Sequence, residues 1–228
     1  MIYSKFTQPF NKMELFKYEK RIYSQNGEDG ILEKLINDLA ITNKESLEIG
    51  SGNTLECNTR NLSDWIRTYF DKDFEDKFNR LYKHKVTEDN INNLINYYNL
   101  NNISLLSIDI DGQDFYLWKN LSNASPIILV IEYNCRIPSK YSYVMKRDIN
   151  YEWDMENINY SSSVGAIYKL GIDKGYSLVG SNSNGVNLYF VRNDYCKFLS
   201  KNVRKQINRT DLVYQIDNFD KKFFEVYK

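Results

Sequence analysis

Ser46–Asn61, SLEIGSGNTLECNTRN, decides the fold. The stretch opens apolar through Leu47 and Ile49, turns at Gly50-Ser51-Gly52-Asn53, and continues from Thr54 to about Asp64 in residues that suit a helix. A strand that runs into a glycine turn and then a helix leaves backbone N–H groups facing a crevice, where they hold a polar or anionic ligand. Glu48 stands out, because a carboxylate at the end of an apolar strand is costly unless something binds it. Such turns also occur without a ligand, so the reading depends on what surrounds this one.

Downstream, a short strand is expected from Trp65 to Phe70, ending at Asp71. An acid about 20 residues beyond a glycine turn is placed to accept ribose hydroxyls in a nucleotide-binding βαβ unit. Lys72, Asp73, Glu75, Asp76 and Lys77 read as a solvated helix face, and Val86 as the end of a third strand. Thr87-Glu88-Asp89-Asn90 opens a helix that buries Ile91, Leu94 and Ile95. The plainest strand is ISLLSIDI, 103–110, followed by Asp111-Gly112-Gln113-Asp114 and a helix to Leu121 whose Tyr116 and Trp118 read as core. Pro126 opens another apolar run, IILVIEYN, ending at Glu132 and Asn134.

Continuous apolar strands alternating with helices imply a parallel sheet covered on both faces. Such sheets bind ligands outside the carboxyl ends of their strands. Each of those ends carries acid here: Glu48, Asp71, Asp109 with Asp111, and Glu132. Solvated turn residues alone predict scatter, so this recurrence is the main evidence for an active site.

Upstream, YSQNGEDGILEKLINDLA (23–40) reads as a helix with Ser24 or Asn26 as its cap and Ile31, Leu32, Leu35, Ile36 and Leu39 as its buried stripe. Residues 1–22 read as an N-terminal cap. Residues 135–163, aromatic and charged, form an insertion of the length typical of lids and binding segments. A helix at about 164–174 precedes GYSLVGSNSNGVNLYFVR, where Ser183-Asn184-Gly185 marks a hairpin. Residues 193–228 read as a basic, partly helical tail packed by Phe198, Leu199, Leu212, Phe223 and Phe224. The 228 residues are thus expected to form a single domain with these appendages.

Composition narrows the partners. Lys+Arg and Asp+Glu balance at 30 each, which calls for neither nucleic acid nor an anionic membrane surface. No apolar run approaches the roughly 18 residues of a membrane span, and MIYSKFTQPF lacks the layout of a signal peptide. Cys57, Cys135 and Cys196 are scattered without metal-type spacing, as expected of reduced thiols in a cytoplasm.

Taken in order, SQNGEDGIL (24–32), LEIGSGN with the downstream NTRNL (47–62), VTEDNIN (86–92), LLSIDIDGQDFYLWKNL (105–121), VIEYN (130–134) and GYSLVGSNSNGVNLYFVR (175–192) resemble the FkbM-like group of class I S-adenosylmethionine-dependent methyltransferases. That group is often associated with bacterial surface polysaccharides and natural products. The resemblance implies an α/β fold: a Rossmann-like, seven-stranded, mostly parallel sheet with helices on both faces and an antiparallel last strand. It implies that Glu48, Gly50 and Gly52 hold the methionine part of S-adenosylmethionine and that Asp71 holds the ribose; Asn53 and Asp109 are further candidates for binding the cofactor. The family's third glycine falls at Thr54, and the short span from Asp71 to Val86 leaves little material for the usual adenine pocket.

Methyl transfer to a hydroxyl needs positioning and a base or metal ion to take up the proton. Asp109, Asp111 and Glu132 are the candidates for that role. Asp109, Glu132 and Asn134 together offer an oxygen-rich set of the kind that suits Mg²⁺ or Mn²⁺, against hydrogen bonding to cofactor and acceptor without metal. His84, the lone histidine, is expected before the third strand, on the surface or on the adenine side. The expected activity is O-methylation of a sugar hydroxyl, or of a phosphate-type group such as a phosphoramidate, on a capsule or surface-glycan precursor. The rivals are a nucleotide-dependent oxidoreductase on a similar sheet and a non-catalytic cofactor-binding member. The hairpin and the missing G-x-G-x-x-G weigh against the oxidoreductase.

Overall fold

The continuous apolar runs become the central strands of one sheet in the computed structural model, which describes residues 13–154 and 156–228. In chain order the elements are α1 (Glu28–Leu39), β1 (Glu45–Ile49), β2 (Ile66–Asp71), β3 (Leu81–Lys83), α2 (Ile91–Tyr97), β4 (Leu105–Ile108), α3 (Asp114–Asn120), β5 (Ile128–Glu132), β6 (Tyr143–Met145), α4 (Val164–Asp173), β7 (Tyr176–Ser181), β8 (Asn187–Arg192), α5 (Lys201–Arg204) and β9 (Phe224–Val226). The main sheet runs β3-β2-β1-β4-β5-β8-β7, with β8 antiparallel to both neighbours. This is the expected seven-stranded, mostly parallel, Rossmann-like arrangement, and the 176–192 hairpin closes it as expected.

Side chains alternate between the two faces. Leu47, Ile49, Leu106, Ile108, Leu129 and Ile131 pack with α2, α3 and α4 on one face. Leu105, Ile128 and Val130 meet the α1 stripe on the other. Two-sided burial is why these strands read as unbroken apolar runs. Tyr116 and Trp118 are buried, as expected. Among the described residues, no helix is long and apolar enough to cross a membrane.

The start of α1 is built differently from a simple cap. Gly27 occupies the N-cap at φ +91, and Ser24 Oγ accepts the Asp29 N–H at 3.1 Å. Asp29 Oδ2 gathers the N–H groups of Ile22, Tyr23 and Ser24, while Glu28 Oε1 accepts the side-chain amides of Asn182 and Asn187. The SQNGED motif therefore ties α1 to the β7–β8 hairpin. Of the expected N-terminal cap, residues 1–12 lie outside the described residues; beyond them, Glu14–Tyr18 form a 3-10 turn whose Leu15 packs with α1.

Three expectations are corrected. The helix expected from Thr54 does not form: Thr54 sits at φ +65, and the Glu48 carboxylate takes the N–H groups of Asn58 and Thr59 that a helix would use internally. Lys72–Lys77 is not a helix face; only Lys77–Asn79 make one 3-10 turn. The third strand ends at Lys83 rather than at Val86, so His84 follows it instead of preceding it. The insertion and the tail also meet, β6 pairing antiparallel with β9 in a second, two-stranded sheet.

Left-handed backbone at a β-branched residue is strained, and only glycine adopts it without cost. Thr54→Gly, which restores the glycine that the family resemblance places here, is therefore expected to raise stability by roughly 0.5–1 kcal/mol. An upward shift of the urea midpoint checks it; a downward shift would mean that the threonine side chain outweighs the strain.

Candidate active site

Parallel strands deliver their carboxyl ends to one edge, and a cleft of about 330 Å³ opens there. Ligand pockets run from about 300 to 1,000 Å³, so the volume suits a small organic molecule. Its floor begins at the glycine turn. Gly50 has φ +85, and a Cβ on it would lie 1.6 Å from the Asp109 carbonyl oxygen, so β1 and β4 meet here too closely for any side chain. Gly52, at φ +55, faces open space.

Asp71 ends β2 beside this turn and lines the cleft. Its carboxylate accepts the N–H groups of Gly52 at 2.8 Å, Asp73 at 2.8 Å and Phe74 at 3.2 Å. Only 8% of the residue is exposed, so the carboxylate is fixed in direction by backbone before any ligand arrives.

Two of the residues expected at the cofactor are elsewhere. Glu48 is 2% exposed and accepts from Asn58 N, Thr59 N and Thr59 Oγ1 at 2.6–2.8 Å. Burial raises its proton affinity and these bonds pull it back. It is not among the residues lining the cleft; its carboxylate organises the 57–59 turn from within. Asn53 faces a second groove on the far side of the glycine turn, and its Oδ1 accepts the Leu55 N–H.

The candidates at β4 and β5 do converge. Carboxylate oxygens of Asp109, Asp111 and Glu132 lie within 4.8 Å of one another. Burial, then the neighbouring acids, push Asp109 and Glu132 well above the usual carboxylate range. Burial also raises Asp111, with the Lys72 ammonium opposing it. Glu132 is 5% exposed and its Oε2 has no hydrogen-bond partner. Asn134 is corrected as a metal ligand: its amide donates to the Ile158 and Tyr160 carbonyls and accepts from Arg136 N, which leaves it holding the following loop.

Asp114, given no role by the sequence, holds the turn that carries Asp111. Its buried carboxylate accepts Ile110 N at 2.8 Å and Gly112 N at 3.0 Å. Between those anchors Asp111 is held at φ +58, a strained conformation of the kind that persists only where surrounding bonds over-determine it. Burial pushes Asp114 up to about 7, against the pull of the two backbone bonds.

These shifts have a measurable consequence. A carboxyl that holds its proton more tightly in the fold than in the unfolded chain contributes its stability fully at acid pH and loses it as pH rises through the folded value. Asp109, Asp114 and Glu132 are all of this kind, with Asp114 near 7. In a chelator, the protein is expected to be more stable at pH 5.5 than at pH 8.0, by on the order of 2–4 kcal/mol. Urea midpoints at the two pH values check this, and equal midpoints would contradict it.

The remaining cleft wall comes from two places. His84 lines it next to Phe70, with Nε2 2.8 Å from the Tyr98 hydroxyl. Opposite, the insertion contributes Arg147, Ile149, Tyr151, Glu152 and Trp153. Lys72, from a charge run read as mere solvated surface, lines the cleft and pairs with Glu152 at 3.1 Å. Nothing in local sequence marks that pairing, because its partner lies far along the chain.

No family model matches the chain, and no curated protein does. Among solved structures, an O-methyltransferase family protein from Burkholderia thailandensis is similar at 7% identity and a TM-score of 0.42, over 73% of this chain. The match covers 57% of that protein, so the chain spans little more than half of its length.

Proposed function

We propose that this chain is an S-adenosylmethionine-dependent O-methyltransferase whose acceptor is a hydroxyl of a sugar, or a phosphate-type group such as a phosphoramidate, on a cytoplasmic precursor of a bacterial capsule or surface glycan. One observation carries the reading: the glycine turn, Asp71, Asp109 and Asp111 line one cleft on the carboxyl edge of the sheet, with a buried Glu132 oxygen within 4.8 Å of the two aspartates' oxygens. Sheets of this kind bind nucleotide ligands at that edge.

The residues present fit the cofactor. Gly52 leaves open space over the turn, Asp71 presents a carboxylate already oriented by three N–H groups, and Phe70, Val86, Ile110 and Leu117 give an apolar surface for a flat base. When bound, S-adenosylmethionine supplies an electrophilic methyl carbon whose bond to sulfur breaks as the acceptor oxygen bonds to it. The chain's part is to align the acceptor oxygen, exclude water and receive the hydroxyl proton. Asp109 and Glu132 suit that last task, because their raised proton affinity brings them toward the working pH.

The cluster also fits a divalent cation. Three carboxylates share a small space, and a buried oxygen of Glu132 has no partner. Asp109, Asp111 and Glu132 would hold Mg²⁺ or Mn²⁺, which would lower the proton affinity of a bound hydroxyl.

Calorimetry tests the reading. S-Adenosylmethionine is expected to bind and NAD not to; NAD binding without S-adenosylmethionine binding would end it.

A further inference from the structure

The strand order gives the cleft a direction. Glu132 ends β5 on one side, the glycine turn follows β1 at the centre, and on the other side Asp71 ends β2 while His84 and Val86 follow β3. If Asp71 takes the ribose, as in the function proposed above, the base of the nucleotide lies beyond it, over Phe70, Val86 and Ile110. The chain from Lys72 to Arg80 supplies no helix to cover that end, only the 3-10 turn at Lys77–Asn79.

The insertion covers it instead. Ile149 and Tyr151 line the same cleft as Phe70, Val86 and Ile110. Arg147 pairs with Glu88, and with Asp89 at 3.5 Å, in the loop between β3 and α2. Glu152 pairs with Lys72 just after β2. Gln113 holds the same segment from below, donating to the Lys146 carbonyl and accepting the Asp148 N–H. Tyr151 lies directly on Gly112, where a Cβ would come within 2.7 Å of its ring. The ties from Arg147 and Glu152 land on the β2–β3–α2 side, while Trp153 packs on Tyr160 with ring centroids 5.1 Å apart.

We propose that residues 146–153 are the roof of the subsite for the nucleotide's purine base. This rests on the reading of the cleft as a cofactor site, and it narrows the role expected of the 135–163 insertion. The segment supplies the wall that the short β2–β3 connection leaves out.

Trp153 provides the probe. It lines the cleft, whereas Trp65 and Trp118 are buried. Tryptophan emission of the full chain is expected to change on titration with adenosine, which has base and ribose but no methionine part, and not with methionine alone. Trp153→Phe should abolish the change. The double variant Arg147→Ala/Glu152→Ala removes exposed pairs that the fold does not need, and is expected to weaken adenosine and S-adenosylmethionine binding roughly threefold to tenfold. Emission unmoved by adenosine, or affinities unchanged in the double variant, overturns the roof while calorimetric binding of S-adenosylmethionine leaves the function standing. Failure of S-adenosylmethionine to bind at all overturns both.

Discussion

Glu132→Gln is expected to lower methyl transfer by roughly 10²–10⁴-fold, the usual contribution of a positioned acid or base. Asp111→Asn should lose activity within the same range. The assay is release of S-adenosylhomocysteine against a panel of sugar and phosphoramidate acceptors. Cofactor affinity should change little in Glu132→Gln, because that side chain ends β5 and does not line the cleft beside Asp71. Stability should move the other way for Glu132→Gln. Glu132 is buried beside Asp109, and its Oε2 lacks a partner, so its charge, once ionised, works against the fold. A neutral amide relieves that repulsion, and the urea midpoint at pH 8.0 is expected to rise. Less activity with more stability is the pattern of a strained site. Full activity in both variants would remove the cluster from the chemistry.

The second large effect is on folding. Gly50→Ala places a methyl group 1.6 Å from the Asp109 carbonyl oxygen, at a residue with φ +85. Neither side can give way cheaply. The Gly50 N–H donates to the Phe70 carbonyl at 2.9 Å, and the Asp109 N–H donates to the Ile49 carbonyl at 3.0 Å, so both partners are locked into the sheet. A loss on the order of 3–5 kcal/mol is expected, in the range reserved for backbone clashes in a core. Gly52→Ala is the matched control: it has a similar left-handed φ but nothing within 4 Å, and should cost about 1 kcal/mol. Urea unfolding of the pair decides the matter. Equal losses would mean that the close approach of β1 and β4 is not what requires glycine.

What could be read from residues alone follows a physical divide. The central strands were legible because two-sided burial leaves an unbroken apolar run, as in Ile128–Val130, and the acids at their ends were legible because parallel topology brings every carboxyl end to one edge. Glu48 shows where that logic fails. It stands at a strand end like the others, yet its own downstream turn takes its carboxylate, and local hydrogen bonding of this kind leaves no periodic trace. The same bonds explain the missing helix after Thr54. Asn134 fails similarly, its amide consumed by the Ile158 and Tyr160 carbonyls. The Lys72–Glu152 pair and the β6–β9 ladder were invisible for another reason: both join segments far apart in sequence, and three-residue strands carry too little pattern to announce a partner.

That ladder sets an order of events during synthesis. Lys146, at the root of the cleft's outer wall, donates its N–H to the Phe223 carbonyl, and Tyr227 donates to the Ser142 carbonyl. Every strand of the main sheet leaves the ribosome before Phe224–Val226 does. A nascent chain can therefore complete its sheet, its glycine turn and its acidic cluster while the wall still hangs loose. The wall is therefore fixed only after Phe224–Val226 has paired with Tyr143–Met145, later than the sheet edge that it faces.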